Sequence, residues 1–274
     1  MDRARLAALL DAVGQLARRA GDAILATRIG SGDVERKEDG SPVTRADRAA
    51  DEVLDSGLRA LAPDIPVISE EGDVEGAVAA AGTAFWLVDP LDGTKEFLKG
   101  LPEYTVNVAL VEEGIPVLGV VYVPPAERLY LAARGIGARR EDSRGVAALS
   151  AALVERPRRA VVSRSHLSAE TEKLLLALGI EETTPRGSSL KVCAVAEGAA
   201  DIYPRLGPTR LWDTAAGAAV ALEAGCAVID LSGRPLRYDL AAGLTHAGFL
   251  VSAPGPCLDA CLRALASAGW TQET

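Results

Sequence analysis

The sequence predicts a mixed α/β fold, and three observations carry that prediction. Residues 160–266 alternate short apolar, β-rich runs with helical periodicity, the pattern of an α/β unit. Residues 104–123 hold two apolar runs, Tyr104 to Val111 and Val117 to Val123, split by Glu112-Glu113-Gly114, the pattern of an antiparallel hairpin. The composition, 49% hydrophobic and 24% charged over 274 residues, supports a core for one large domain or two medium ones and excludes general disorder.

The elements follow in order. Leu6, Leu9, Leu10, Val13, Leu16 and Ala17 recur at helical spacing within residues 3–29. The polar, Gly-bearing stretch 30–42 reads as a loop or hairpin, and Thr44 then N-caps a helix that turns Val53, Leu54, Leu58 and Leu61 inward and ends before Pro63. Val67-Ile68 and Phe85 to Val88 are strand-like, and each runs straight into acids. Arg134 to Gly145 reads as a basic loop, with Arg134, Arg139, Arg140 and Arg144 solvated. Beyond it come strands at 160–163, 200–203, 227–230 and 249–252, and helices at 168–178, 190–197, 214–224 and 258–266. The weakest boundary is Glu155-Arg156-Pro157, which divides an N-terminal half (1–157) from a C-terminal half (158–274).

Several functions are excluded at this level. The formal charge of −9 argues against binding polymeric nucleic acid, since a polyanion would be repelled. No apolar run approaches the roughly 18 residues that span a bilayer, and the charged N-terminus lacks the apolar core of a secretion signal. Cys193, Cys226, Cys257 and Cys261 form no CxxC pair and read as reduced thiols of a cytoplasmic protein, with peripheral association at the inner membrane left open. His166 and His246 are too few for a His-rich zinc site. P-loop and nucleophile-elbow motifs are absent. Asp89 and Asp92 are three apart, which disfavours the Asp-x-Asp of phosphatases that form an aspartyl phosphate.

The chemistry concentrates in three stretches: Ser69-Glu70-Glu71, Asp89-Pro90-Leu91-Asp92-Gly93-Thr94, and Trp212-Asp213-Thr214. Two stand at the ends of apolar strands, where α/β sheets place ligands, and the third opens a small-residue helix. Any one of these acids alone reads as a cap or turn residue. Together they would repel one another and raise each other's pKa unless a cation neutralised them. Oxygen donors without histidine or thiolate select a hard cation, Mg2+ or Mn2+. Gly93-Thr94 would add backbone N–H donors for a phosphate, so the residues point to metal-assisted phosphate-ester hydrolysis.

These motifs resemble those of the inositol monophosphatase superfamily of Mg2+-dependent phosphatases. The matching stretches are residues 37–47, 66–71, 86–97, 162–166, 187–191, 203–209 and 212–217, collinear along the chain. Within the superfamily the chain most resembles the bacterial 3'(2'),5'-bisphosphate nucleotidase branch. The resemblance implies a five-layer αβαβα sandwich with the site between its halves, and two or three Mg2+ ions that Mn2+ can replace. It implies Glu70, Asp89 and the Leu91 carbonyl on one ion, and Asp89, Asp92 and Asp213 on another, with Glu70 on a weaker third. Asp47 and Thr94 would orient and deprotonate the attacking water; without the resemblance Asp47 reads as a solvated helix acid.

For the substrate, Lys95-Glu96-Phe97 follows the metal motif as in the nucleotidase branch, and Lys191 stands one helical turn beyond Ser188. By resemblance, Gly93, Thr94 and Asp213 belong to the substrate-binding residues, and His166, Ser188, Lys191 and Arg205 hold the ribose and the 5'-phosphate that is not cleaved. From pattern alone, Lys191 and Arg205 read equally well as surface charge. The implied reaction converts adenosine 3',5'-bisphosphate to AMP and phosphate, with Li+ as an inhibitor and 3'-phosphoadenylyl sulfate as a further candidate substrate. Inositol monophosphate, fructose 1,6-bisphosphate, or a protein-interaction role with dispensable catalysis remain the alternatives, and a homodimer is left open. Leu244-Thr245-His246 replaces an expected Leu-Asn-Pro, which unsettles adenosine recognition more than the chemistry.

Overall fold

The computed structural model describes residues 1–27, 34–36, 42–164 and 167–269. Helix α1 (Arg3–Ala26) starts at Asp2, whose carboxylate accepts from the Arg5 amide at 2.8 Å. It buries Leu6, Leu9, Leu10, Val13, Leu16 and Ile24 along one face. Strands β1 (Val34–Arg36) and β2 (Pro42–Thr44) pair antiparallel, and Thr44 caps α2 (Arg45–Leu61) through a capping box with Asp47. Then come β3 (Val67–Ser69), α3 (Val74–Ala80), β4 (Ala84–Asp92), α4 (Thr94–Leu98), β5 (Thr105–Glu112), β6 (Ile115–Val123), β7 (Arg128–Ala133), β8 (Gly137–Asp142) and β9 (Gly145–Leu149). Strands β3 to β9 form one sheet in sequence order, with β3 parallel to β4 and every later pair antiparallel.

The remaining elements are β10 (Arg159–Ser163), α5 (Ala169–Ala177), β11 (Glu182–Arg186), α6 (Leu190–Ala196), β12 (Ile202–Arg205), β13 (Thr209–Arg210), α7 (Trp212–Glu223), β14 (Ala227–Asp230), β15 (Thr245–His246), β16 (Phe249–Ser252) and α8 (Pro256–Ser267). The second sheet runs β11-β10-β12-β16-β14. No helix among the described residues is long and apolar enough to cross a membrane.

Alternating side chains divide the core into three apolar clusters. Trp86, Val88, Val106, Val108, Val120 and Leu131 face α1 and α2, whereas Phe85, Leu87, Ala109, Val111, Val121 and Tyr130 face α6 and α7. On the second sheet Val161, Tyr203, Phe249 and Val251 face that same pair of helices, and Ala160, Val162, Ile202 and Leu250 face α5 and α8. The order is helices, sheet, helices, sheet, helices: the five-layer sandwich. Helix α7 can lie close to the first sheet because a Cβ on Gly119 would stand 2.3 Å from the Ala216 carbonyl oxygen.

Several expectations change. Leu61, expected to turn inward from α2, is exposed at the end of that helix. The basic stretch expected as a loop is largely strand β8 with its turn into β9, and its arginines are paired: Arg139 with Asp11 and Glu141, Arg140 with Glu197 and Asp142. Charge hid the strand because these side chains pair with acids both on β8 itself and on other elements. Helix α3 was not expected, although Val74, Ala77, Val78 and Ala81 recur at helical spacing and pack against the core, and strand β11, a polar edge strand, carried no apolar period in the sequence. The third strand of the C-terminal half begins at Ile202, with Ala200 in the turn before it. Cys257 and Cys261 both lie on the buried face of α8, and all four cysteines are free thiols.

Candidate active site

Strands β3 and β4 bring the first two acids together. Their parallel register pairs Ser69 with Val88, and the Glu70 amide donates to the Val88 carbonyl at 3.1 Å, so Glu70 lands beside Asp89. Pro90 has no N–H to give the ladder, and the β4–β5 register shifts between Asp89 and Asp92. One inserted residue lets acids three apart share a face; both line the same cavity. Asp213 enters from the opposite layer at the start of α7. Carboxylate oxygens of Glu70, Asp89 and Asp213 all lie within 4.8 Å of one another.

Electrostatics follow from that convergence. Burial, then the negative neighbours Glu70, Asp92 and Asp213, pushes the Asp89 carboxyl well above its ordinary range. Burial, then Asp92 and Glu70, does the same to Asp213. Asp92 is raised by burial too, against the pull of Lys191 and of donors from Ser189 and Asn107. Its Oδ2 accepts from Ser189 N at 2.7 Å, Ser189 Oγ at 3.0 Å and Asn107 Nδ2 at 3.2 Å. The converging donor set is carboxylate oxygen throughout, which fits a hard divalent cation and not a soft one.

Asp47 is 2% exposed, so the reading of a solvated helix acid does not hold. Its Oδ2 accepts from Thr44 N at 2.7 Å and Thr44 Oγ1 at 2.6 Å, and its Oδ1 lies 3.1 Å from Thr94 Oγ1. Burial raises the Asp47 carboxyl, with the Thr44 and Thr94 hydrogen bonds acting against it. Thr94 has a single hydroxyl proton and a second acceptor, the Leu91 carbonyl, also at 3.1 Å. Gly93 caps α4 with φ +97°, turning the chain so that Thr94 follows directly on the acidic strand.

The cavity measures about 580 Å³ and is lined on its far side by Gly187, Ser188, Lys191, Tyr203, Arg205 and Thr245. Lys191 is only 9% exposed, which removes the surface-charge reading for it. Burial lowers its pKa while Asp92 raises it; its Nζ donates to the Ser188 carbonyl and lies 5.6 Å from the centre of the Tyr203 ring. Arg205 lines the same wall and donates through Nη2 to the Pro208 carbonyl at 3.0 Å. His166 and the motif residues 37–41 lie outside the described residues. His246 stacks edge-on to Tyr238 at 5.0 Å, and burial lowers its pKa to about 4.

Sequence reasoning read Thr44 only as a cap and gave no role at the site to Thr44, Asn107 or Ser189. Asn107 was findable: it and Thr105 are polar residues on the odd-numbered face that Ala109 and Val111 continue toward the interior. Ser189 carries no comparable signal, because its role depends on a contact with Asp92 across 97 residues.

Comparison with known proteins agrees with this architecture. The inositol monophosphatase family model matches residues 6–264. A Shigella flexneri protein named 3'(2'),5'-bisphosphate nucleotidase CysQ is 52% identical over 246 residues, covering 89% of this chain and 99% of that one. The crystal structure of CysQ from Bacteroides thetaiotaomicron, a bacterial member of the same family, superposes with TM-score 0.75 at 39% identity, covering 88% of this chain and 95% of that one. A Thermotoga maritima IMPase superposes with TM-score 0.77 at 26% identity over 95% and 97%. By sequence and by fold, the chain belongs to the inositol monophosphatase family.

Proposed function

We propose that this chain is a 3'(2'),5'-bisphosphate nucleotidase that hydrolyses the 3'-phosphate of adenosine 3',5'-bisphosphate to give AMP and phosphate. One observation carries the reading: three converging carboxylates share a cavity with the buried cation Lys191 and with Arg205. A site for one phosphate would need only the acids and their cations. A second fixed anion-binding wall suits a substrate with two phosphates. The naming of the relatives supports the same substrate.

On this reading residues 1–157 supply most of the acids, and 158–274 supply Asp213 and the groups that grip the nucleotide. Glu70, Asp89, the Leu91 carbonyl, Asp92 and Asp213 would hold Mg2+, two or three ions, with Mn2+ able to replace it. When bound, such ions supply Lewis acidity at phosphorus and lower the pKa of water. With the Leu91 carbonyl so engaged, the Thr94 proton has Asp47 as its remaining acceptor. The Thr94 hydroxyl then turns lone pairs toward water and fixes its direction of approach. Asp47, raised by burial, accepts the proton that leaves through Thr94. Ser188, Lys191 and Arg205, with His166, hold the ribose and the phosphate that is not cleaved. We read the working compartment as the cytoplasm.

The test is phosphate release, in Mg2+ and in EDTA, from adenosine 3',5'-bisphosphate, 3'-phosphoadenylyl sulfate, inositol 1-phosphate and fructose 1,6-bisphosphate. The expected result is EDTA-sensitive turnover that is fastest on the first. Faster turnover of an inositol or sugar phosphate would reassign the substrate, and no turnover of any ester would favour a binding role.

A further inference from the structure

Glu103 has no place in the chemistry described so far, yet it is 8% exposed and accepts from three residues, Arg164, Arg186 and Gly187, that line the cavity. It stands between α4 and β5, on the side of the first sheet. Its Oε2 accepts from the Gly187 amide at 2.9 Å and from Arg164 Nε at 3.0 Å; its Oε1 accepts from Arg164 Nη2 at 3.0 Å and from Arg186 Nη1 at 3.4 Å. Arg164 follows β10, Arg186 ends β11 and Gly187 leads into α6, so one carboxylate receives three residues from the other half of the molecule. Burial opposes ionisation of Glu103, but the Arg164 fork and the Gly187 amide outweigh it and hold the carboxyl below its ordinary value.

The backbone here leaves no slack. A Cβ on Gly187 would stand 2.8 Å from the Glu103 carbonyl oxygen, and a Cβ on Gly93 would stand 3.0 Å from the same atom. Glu103 is therefore wedged between the loop of the acidic motif and the loop that starts α6. Two residues further on, Ser189 is tied to Asp92. Ser188 lies between the two ties with φ +44°, a conformation that costs a non-glycine residue energy and persists where its surroundings over-determine it.

We propose that Glu103 is a positioning residue: by holding the Gly187 amide and the Arg164 guanidinium together, it fixes segment 187–191, and with it Lys191, at the distance from the acids that the uncleaved phosphate requires. This rests on the nucleotidase reading above. Glu103 itself does not touch substrate. Its loss leaves the acids and Thr94 in place, so the effect falls on substrates that reach Lys191 and spares those that do not.

The experiment compares wild type, Glu103→Gln and Arg164→Lys on adenosine 3',5'-bisphosphate and on p-nitrophenyl phosphate, which has no second phosphate. Hydrogen–deuterium exchange of segment 187–191 is measured alongside. Glu103→Gln keeps the shape and removes the charge; Arg164→Lys keeps a charge and removes the fork. Both variants are expected to raise KM for the bisphosphate about tenfold, equivalent to about 1.4 kcal/mol. Turnover of p-nitrophenyl phosphate is expected to stay within about twofold of wild type, and exchange to quicken in 187–191 but not in α1. Unchanged exchange, or equal losses on both esters, overturns the proposal. Wild-type protein that does not turn over the bisphosphate sinks the nucleotidase reading instead, and the exchange comparison still decides whether Glu103 holds the segment.

Discussion

Removing charge from the acidic cluster should stabilise the metal-free protein while destroying its response to metal. The substitution is Asp89→Asn, which keeps an oxygen to accept the Leu91 amide hydrogen bond of 3.0 Å. Oxygens of Glu70, Asp89 and Asp213 lie within 4.8 Å of one another; at that separation and an effective dielectric of about 20, each ionised pair repels by about 3.5 kcal/mol. Asp89 takes part in two of the three pairs. The native protein relieves part of this by keeping protons, since Asp89 and Asp213 are held well above their ordinary range by burial and by one another's neighbours. A net gain of roughly 1–3 kcal/mol is then expected in EDTA at neutral pH, which corresponds to roughly 2–5 °C in Tm for a chain this long.

The sign of the pH dependence is fixed by the same acids. Their folded pKa values exceed the unfolded one, so the folded state holds protons that the unfolded state has already lost. Metal-free wild type should therefore gain stability as pH falls from the raised values toward the ordinary carboxylate value, with a shallower slope in Asp89→Asn. Thermal denaturation in EDTA and in millimolar Mg2+ measures all of this. Mg2+ should raise the wild-type Tm and leave the variant's nearly unmoved. A variant that is less stable than wild type in EDTA, or that shows the wild-type Mg2+ shift, would refute the argument that these carboxylates form one electrostatic unit.

Other perturbations separate the remaining parts. Thr94→Val should lower kcat by about a hundredfold or more while keeping the Mg2+ shift in Tm, with Thr94→Ser recovering much of the rate; an unimpaired Thr94→Val removes the hydroxyl from the mechanism. Lys191→Met keeps the volume of a buried side chain and removes its charge, so KM for the bisphosphate should rise at least tenfold with p-nitrophenyl phosphate little affected. Asp201, which accepts from the Arg158 and Arg159 amides at 2.8 Å each and from Arg159 Nη2 at 2.7 Å, serves structure alone. Burial works to raise its carboxyl, but these donors outweigh it and hold it below the ordinary value. Its stabilisation is therefore complete above the unfolded carboxylate pKa and lost as pH falls through the folded one. Asp201→Asn should cost about 1.5–3 kcal/mol near neutrality, read from denaturant midpoints, and flatten the loss of stability in acid, with activity per folded molecule unchanged.

What the sequence revealed depended on whether the signal was local. The apolar strands ending in Glu70 and Asp89 were legible because period and position agree, and the Thr44 cap was legible because the whole capping box lies within residues 44–47. Strand β8 was not, since its arginines answer to Asp11 and Glu197 on distant elements. Asp47 shows the boundary between the two cases. From the sequence pattern alone it reads as a solvated helix acid, and nothing within α2 says that the same carboxylate closes the capping box and also reaches Thr94, 47 residues away.

Lys191 extends that reasoning from legibility to purpose. A lysine on a short helix between two loops reads as solvated, yet here it is buried beside Asp92, and burial lowers its pKa. Burying a cation without adequate compensation is costly, and Asp92 is only part of the compensation, because its Oδ2 is already shared among Ser189 and Asn107 donors. On the nucleotidase reading, a cation kept at such a cost on a cavity wall, with Arg205 on the same wall, would gain from an anion that enters the cavity. The acids opposite would gain in the same way from cations. On that reading, two phosphates bridged by one ribose would satisfy both walls in a single binding event, so loosening segment 187–191 should weaken the hold on the bisphosphate and spare the response to metal, whereas Asp89→Asn should abolish the response to metal and leave segment 187–191 held.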